Sequence, residues 1–356
     1  MRRRSVIVVG LTLAFLTFAA PAFACGGLLS PNGAVNLTKT TTLAAYHKGL
    51  EHYVTSFQFV GGGGAKFGSI VPLPGIPSKV EKAGGWTLQR LLREVAPPVS
   101  EAAGAVFAAR ASSPDAKVLL KTRVDALDIT VLEGGGDAIA RWATKNGFDL
   151  SPDAPEVFDF YASRSPIFLA AAFDGKAAQK QGLSEGDGTP IHVTIPTPAP
   201  WVPLRILGLG KQAAEIVQAD VFLLTDRAPS MLPGPTGFRG GDARPIAPGM
   251  RLERSEQASD QLMADLSSDR GMGWMPEKMW LTYVTVGASA AELRYDLAID
   301  ASGANSPSYV AAGLSTSLKR SADDAFGELG AWPMVVSITI AALGIGFLGA
   351  RRYATR

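Results

Sequence analysis

The sequence predicts an α+β fold with mixed or antiparallel sheets and short helices, followed by a C-terminal transmembrane helix. Three observations support this fold class. Most apolar segments are short and are separated by turns rich in glycine and proline, as strands are. Few segments carry apolar residues at helical spacing. Strands and helices do not alternate in the sustained βαβ rhythm of a parallel sheet.

The first predicted elements are strands. Residues 43–46 and 51–60 flank the turn His47-Lys48-Gly49, so we expect a β-hairpin there. Four glycines follow, and then residues 67–73 form another apolar strand that prolines close. A meander is the simplest arrangement of these three strands.

Four short helices are predicted. Residues 86–95 place leucines at helical spacing before Pro97-Pro98, and residues 137–146 begin at Asp137 as N-cap. Residues 155–162 and 256–266 are the other two helices.

The remaining apolar segments are predicted as strands, with a helical turn at 288–294. Residues 227–250 hold five prolines and five glycines, which predicts a long loop. The predicted strands are 118–124, 127–132, 167–173, 191–195, 202–207, 217–224, 279–286 and 295–299.

The N-terminus has the three parts of a secretory signal peptide. Three arginines precede an apolar stretch, residues 6–20, and the small residues Ala22 and Ala24 form an A-x-A cleavage site. We expect residues 1–24 to be removed, so that Cys25 becomes the first mature residue. A first transmembrane helix is disfavoured because Pro21 ends the apolar run.

A second apolar run, residues 331–350, predicts a single transmembrane helix. It contains no charged residue and, at about 1.5 Å per residue, spans about 30 Å, the thickness of a bilayer core. Trp332 lies where interfacial aromatics occur, and Arg351 and Arg352 follow the run. Since positive residues stay inside, residues 351–356 are predicted to be cytoplasmic. A buried core helix is disfavoured because every face is apolar.

These two segments predict the location and organisation of the rest. Residues 25–301 form an extracytoplasmic domain, with a subdomain break considered near 100–135, and residues 302–330 form a linker. Six of the 34 basic residues are arginines of the signal and tail, which leaves 28 against 32 acidic residues outside the membrane. That slightly acidic balance argues against a nucleic-acid partner. The predicted partners are membrane lipid, through the C-terminal helix, and an envelope protein or glycan.

Cys25 is the only cysteine, so it cannot form an internal disulfide. Lipidation requires cysteine as the first mature residue, which Cys25 would be, but Ala22 stands where a lipobox favours leucine. A nucleophilic role requires a nearby histidine or cation. We favour an ordinary mature N-terminal residue and keep lipidation and catalysis as alternatives.

The string "HKGLEH" has the composition of an inverted zinc-protease motif but not its spacing. That motif needs H-x-x-E-H on a helix, whereas three residues separate His47 from Glu51, and the flanks of Glu51 and His52 are predicted as strands. We interpret these residues as exposed residues of the hairpin tip and predict no metal site. The glycine run lacks the G-K-[ST] of a phosphate loop, so we predict no cofactor.

Trp274, in the segment "GMGWMPEKMW", is the tryptophan best placed in a loop for contact with a ligand. Trp86 and Trp142 lie on predicted helices with apolar partners, so we expect both to pack in the core.

Five stretches, taken in order, carry a resemblance to a known family: "ACGG", "GSIVPLPGIP", "ITVLEGGGDAIARWATKNGFDLSP", "WVPLRILGLG" and "WLTYVTVGASAAELRYDLAI". Together they resemble the bacterial family of unknown function DUF2330. The resemblance covers most of residues 24–300 and implies a secreted domain, often membrane-tethered, with no assigned activity and so no catalytic residues. It also implies that relatives often carry a second cysteine near the mature start, and the absence of that cysteine here weighs against a redox role for Cys25.

The leading functional hypothesis is a membrane-tethered extracytoplasmic envelope protein that acts as a binding or structural module. The alternative is a cell-envelope hydrolase whose site forms only in the fold, from Cys25, His47, Glu51 or His52. A stress sensor that signals across the membrane is disfavoured, because only six residues follow the predicted helix.

Overall fold

A computed structural model describes residues 27–29, 39–58, 67–96, 116–148, 150–174, 180–182, 188–237 and 247–314. Within these residues the chain forms three β-sheets and short helices, which confirms the α+β class. The strands are β1 Gly27–Leu29, β2 Thr40–His47, β3 Leu50–Gln58, β4 Phe67–Leu73, β5 Lys79–Lys82, β6 Lys117–Val124, β7 Leu127–Glu133, β8 Ile167–Phe173, β9 Gly188–Pro196, β10 Trp201–Val202, β11 Ile216–Thr225, β12 Ser230–Leu232, β13 Met250–Gln257, β14 Trp280–Ser289 and β15 Leu297–Asp300. The α-helices are α1 Trp86–Val95, α2 Gly136–Lys145, α3 Ala154–Ala162 and α4 Asp260–Ser267, and Arg205–Gly208 form a 3₁₀-helix.

The largest sheet has seven strands in the order β13-β14-β11-β2-β3-β9-β5. Its pairs are antiparallel except β11 with β2. The hairpin predicted around His47 is confirmed, since Lys48 and Gly49 join β2 to β3 with φ of 49° and 81°. A two-residue turn in which both residues have positive φ is typical of β-hairpins, because its twist matches that of the flanking strands.

The other two sheets complete the body. A five-stranded antiparallel sheet has the order β1-β4-β8-β7-β6, and a three-stranded sheet has the order β10-β15-β12. The predicted meander is therefore wrong, because β4 belongs to a different sheet from β2 and β3. On the side of β3 away from β2, the neighbouring strand is β9 and not β4. Strand β9 pairs with β3 from Leu50 to Gln58.

Both faces of the seven-stranded sheet are covered. Successive side chains of β3 alternate between them, so Tyr53 points to one face and Val54 to the other. The Tyr53 face joins the five-stranded sheet and helices α2 and α3 in the main hydrophobic core. On the Val54 face, α1, α4 and residues 271–279 form a second core that contains four methionines. The candidate site lies in this second layer.

Several predicted elements have nearly their predicted bounds. Helix α1 and strand β4 begin and end where the sequence places them, and β6, β7, β8 and β11 differ by at most one residue at either end. Trp142 packs in the core as expected, whereas Trp86 is half-buried beneath the guanidinium of Arg93.

Two predictions about helices need correction. Helix α2 starts at Gly136 with Gly135 as N-cap, so Asp137 lies in the first turn and is not the cap. Residues 256 and 257 belong to strand β13, where Gln257 pairs with Trp280, and not to a helix. Helix α4 starts later because the Ser259 hydroxyl accepts a 3.1 Å hydrogen bond from the Leu262 N–H and caps it.

Predictions made for strands and loops also change. The strand predicted at 202–207 ends at Val202, because the next backbone N–H groups bond to a buried carboxylate and the chain turns into a 3₁₀-helix. The loop predicted at 227–250 contains strand β12, and residues 238–246 lie outside the described residues. The turn predicted at 288–294 begins only after Ser289, since β14 pairs with β11 up to that residue.

The buried carboxylate that the Leu204 and Arg205 N–H groups contact belongs to Asp296. Asp296 is fully buried at the end of the main core. It forms an ion pair with Arg164 and accepts hydrogen bonds from the Tyr161 hydroxyl at 2.8 Å and the Leu204 N–H at 2.7 Å. The Arg164 guanidinium also lies over the Trp201 ring, 4.8 Å from its centroid. Buried charges are tolerated when paired in this way, so we interpret the cluster as structural.

No helix in the described part of the chain is long and apolar enough to cross a bilayer. The signal peptide predicted at 1–24 and the transmembrane helix predicted at 331–350 lie outside the described residues. Of the predicted linker, the part up to residue 314 packs on the body, where Ala312 and Leu314 are buried in the main core.

Candidate functional site

The seven-stranded sheet brings His52 and His192 together on its second-core face. His52 lies on β3 and His192 on the neighbouring β9, where it pairs directly with Val54. Because side chains two residues apart share a face, His52 points to the same side as Val54 and His192. The two residues are 140 positions apart in the chain, and both are almost completely buried.

The two imidazoles are hydrogen-bonded and covered by a tryptophan. Nδ1 of His52 lies 2.9 Å from Nε2 of His192. The ring of Trp274 stacks on His52 with 3.5 Å between centroids and 6° between planes. We call His52, His192 and Trp274 the histidine–tryptophan site. Residues 271–279, which we call the covering loop, carry Trp274 and separate the pair from solvent.

The environment keeps both imidazoles neutral. Burial, together with the nearby His192 and His47, lowers the pKa of His52 to about 3. Burial also lowers the pKa of His192, although Glu81 opposes this effect. Neutral imidazoles have one donor and one acceptor nitrogen, so the pair can share a hydrogen bond without a buried charge.

Glu81 stands on the far side of His192 from His52. Its Oε1 lies 3.5 Å from Nδ1 of His192, which is long for a hydrogen bond, and within the described part of the chain that buried nitrogen has no other partner. Gly271, with φ of 81°, brings the backbone of the covering loop against the same nitrogen, where an added Cβ would lie 3.5 Å away. The loop therefore contacts both histidines.

The other residues of "HKGLEH" are not part of this site. His47 lies at the hairpin end, where its Nδ1 is 2.6 Å from Oδ1 of the exposed Asp226. Glu51 precedes His52 on a strand, so it points to the opposite face. Among the described residues, no group of three or more histidine, cysteine, aspartate or glutamate side chains is placed to hold a metal.

Glu51 is instead buried in the main core, and His52 is buried in the second, so the prediction that these two residues are exposed at the hairpin tip is wrong. Among the described residues neither carboxylate oxygen of Glu51 has a well-formed hydrogen bond. Burial raises the pKa of Glu51 to about 8, an effect that the Trp201 backbone only partly opposes. The carboxyl group is therefore protonated near neutral pH.

The outer side of the covering loop forms a groove against helix α4. Its volume is about 390 Å³. Met263 and Met275 are buried at its floor, and the polar ends of Asp260, Glu277 and Lys278 stand exposed at its rim. We call this the methionine groove. The same loop thus covers the histidines on one side and walls a groove on the other.

The residues singled out from the sequence fall in different places. Trp274 is in the predicted loop, but it is half-buried on His52. The contacts of His192 with His52 and with Glu81 were missed, and no local pattern marks them, because they depend on the pairing of β3, β9 and β5. The residues Ala22, Ala24, Cys25, Trp332, Arg351 and Arg352 lie outside the described residues.

Two solved structures show distant similarity to the fold. The crystal structure of baculovirus P35 is 8% identical, with 75% of this chain and 97% of that chain covered and a TM-score of 0.38. The crystal structure of the caspase-8/P35 complex contains a chain that is 8% identical, with 74% of this chain and 96% of that chain covered and a TM-score of 0.36. Scores this low support no conclusion about function.

Comparison with curated proteins gives no match. A family described as an uncharacterized protein conserved in bacteria, DUF2330, matches residues 19–227, more than half of the chain. The match includes β3 and β9, the strands that carry the two buried histidines, but ends before the covering loop. The chain belongs to the DUF2330 family.

Proposed function

We propose that the chain is a membrane-tethered extracytoplasmic envelope protein that acts as a binding module, and that the methionine groove is its binding site. The proposed ligand is an extended segment of an envelope protein that inserts one apolar side chain between α4 and the covering loop. The observation that carries this proposal is the open groove of about 390 Å³ with buried methionines at its floor.

The chemistry of the groove supports this ligand class. Methionine side chains are flexible and polarizable, so Met263 and Met275 can adapt to apolar side chains of different shapes. The rim carries two acidic residues, Asp260 and Glu277, against one basic residue, Lys278. A segment with a basic residue next to its apolar side chain would match that charge.

Peptide binding tests this proposal. Labelled peptides with a central leucine flanked by lysines are titrated with the full chain in detergent, and fluorescence anisotropy reports binding. Ala264 is exposed on α4 and borders the groove, so Ala264→Arg fills the groove and adds a repelling charge. We expect affinity to fall at least tenfold, about 1.4 kcal/mol. Ala304→Arg, at an exposed position outside the groove lining, is the matched control and should bind normally.

Two results would count against the groove. One is equal binding of a peptide with serine in place of the leucine, since the groove would then not select an apolar side chain. The other is unchanged binding by Ala264→Arg.

The proposed location rests on the sequence of the two chain ends and has its own test. The intact mass of protein extracted from host membranes should match residues 25–356. A mass that includes residues 1–24 would contradict signal cleavage, and recovery in the soluble fraction would contradict the tether. An added diacylglyceryl mass on Cys25 would show a second anchor.

A further inference from the structure

The two histidines under the covering loop face each other through one ring nitrogen each. Their facing nitrogens, Nδ1 of His52 and Nε2 of His192, are 2.9 Å apart. The two nitrogens would subtend an angle of about 90° at an ion about 2.0 Å from both, and a separation of about 3.5 Å would open that angle to about 120°. Ring movements of about 0.6 Å would thus make room between the two nitrogens for an ion that takes its third ligand from elsewhere.

The carboxylate behind His192 fits the same interpretation. Metal-bound histidines commonly direct their second ring nitrogen at a carboxylate, which fixes the tautomer and leaves the other nitrogen for the ion. Glu81 Oε1 faces Nδ1 of His192 at 3.5 Å, so Nε2 is the ligand atom. On ion binding the proton shared with His52 moves to the outer nitrogen of its own ring, and no proton is released.

The surroundings select the kind of ion. The ligand nitrogens are neutral and nearly buried. Glu81 lies beside the pair, and its Oε1 also forms a 2.7 Å ion pair with Lys79, so its charge is already balanced. A monovalent ion therefore brings less uncompensated charge into this apolar layer than a divalent ion does. Four methionines, Met263, Met272, Met275 and Met279, belong to the same core as the neighbours of His52 on the sheet. Imidazole and thioether are ligands that Cu(I) accepts.

We propose that His52 and His192 bind one Cu(I) ion, with a thioether of the covering loop, from Met272 or Met275, as third ligand. Met272 lies two residues before Trp274 and Met275 directly follows it, and both methionines are buried in the second core. The stacked Trp274 ring holds the plane of His52 and keeps water from the ion. The two histidine ligands lie on the inner side of the covering loop and are not part of the lining of the methionine groove.

Competition for Cu(I) tests the proposal. The full chain in detergent is titrated without oxygen, with ascorbate, against a coloured Cu(I) chelator. We expect the parent chain to take one equivalent of Cu(I) from the chelator. The affinity for Cu(I) should fall at least 100-fold in His52→Gln and in His192→Gln. Glutamine keeps a hydrogen-bonding side chain at each position but is a poor ligand for Cu(I). His47→Gln and Cys25→Ser are the controls and should bind as the parent chain does.

X-ray absorption of the Cu(I)-loaded parent chain keeps the test valid if a variant fails to fold. The expected spectrum shows two nitrogens at about 2.0 Å and a sulfur at about 2.3 Å. The sulfur signal should persist in Cys25→Ser. It should disappear in one of the two variants Met272→Leu and Met275→Leu, which identifies the third ligand. No transfer of Cu(I) from the chelator, unchanged affinity in His192→Gln, or a spectrum without nitrogen would each overturn the proposal.

Discussion

The indole ring of Trp274 lies parallel to the imidazole of His52, with 3.5 Å between the ring centroids. This contact ties the covering loop to the centre of the seven-stranded sheet, because His52 lies on β3 and Trp274 follows α4. The next residue, Met275, is at the floor of the methionine groove. The position of the groove wall therefore depends on the packing of a buried histidine.

Replacement of Trp274 should loosen the covering loop. Trp274→Ala removes a stacked, half-buried ring, and we expect the free energy of unfolding to fall by about 3 kcal/mol. Trp274→Phe keeps an aromatic ring and should lose less than half of that. Urea unfolding followed by circular dichroism measures both changes. Equal stability of the alanine variant and the parent would show that the stack does not hold the loop.

Glu51 should make the metal-free protein less stable as pH rises. Its pKa is raised from 4.5 to about 8 in the folded chain, so folding favours the protonated form. Stability is then lost as pH rises from about 4.5 to 8, by up to about 5 kcal/mol at 1.36 kcal/mol per unit. Glu51→Gln should remove this slope in urea unfolding, whereas Glu256→Gln, at an exposed position, should keep it. Below about pH 6.5 the opposite slope of His52 offsets that of Glu51, so the comparison is made between about pH 6.5 and 8. A parent chain with constant stability between those two pH values would contradict the buried, unpaired state of Glu51.

His52 should limit stability on the acid side. Its pKa is lowered from 6.5 to about 3, so the folded chain resists protonation that the unfolded chain accepts. Stability is present above about pH 6.5 and is lost as pH falls toward 3. The midpoint of acid unfolding of the metal-free chain should move to lower pH in His52→Gln and stay in place in His47→Gln. A shift of the same size in both variants would show that burial of His52 is not the cause.

The Asp296 cluster should matter far more than the exposed pair at the hairpin. Asp296→Asn leaves Arg164 buried without its counter-charge, so we expect a loss of about 3 to 5 kcal/mol. Asp226→Asn removes the charge that faces His47. Because the Asp226 side chain is 49% exposed, the free energy of unfolding should fall by less than about 1 kcal/mol. Urea unfolding of the two variants gives the comparison, and losses of similar size would mean that the Asp296 cluster is not structural.

Local patterns predicted the elements that are bounded by local signals. Prolines close β4, and a proline pair follows α1, so both were placed from the sequence. The strand predicted after Val202 failed because its N–H groups bond to Asp296, about 90 residues later in the chain. A residue pattern cannot include a partner so distant.

The candidate site depends on long-range pairing in the same way. The sequence places Trp274 in a loop and His52 on a strand, but their stacking requires the order β2-β3-β9-β5 and the return of the chain after α4. The separation of Glu51 from His52 is different, since alternation along one strand already assigns them to opposite faces. Pairing order between distant strands was the missing information.

The most direct test of the binding proposal is an NMR titration of the full chain labelled at its methionine methyl groups. The lysine-flanked leucine peptide should shift the signals of Met263 and Met275, at the floor of the methionine groove. Met231 and Met250, buried in the main core, should not move. Saturable shifts confined to the groove methionines are the predicted result. Shifts at Met231 or Met250 instead, or no shift at peptide concentrations that saturate anisotropy, would contradict binding in the groove.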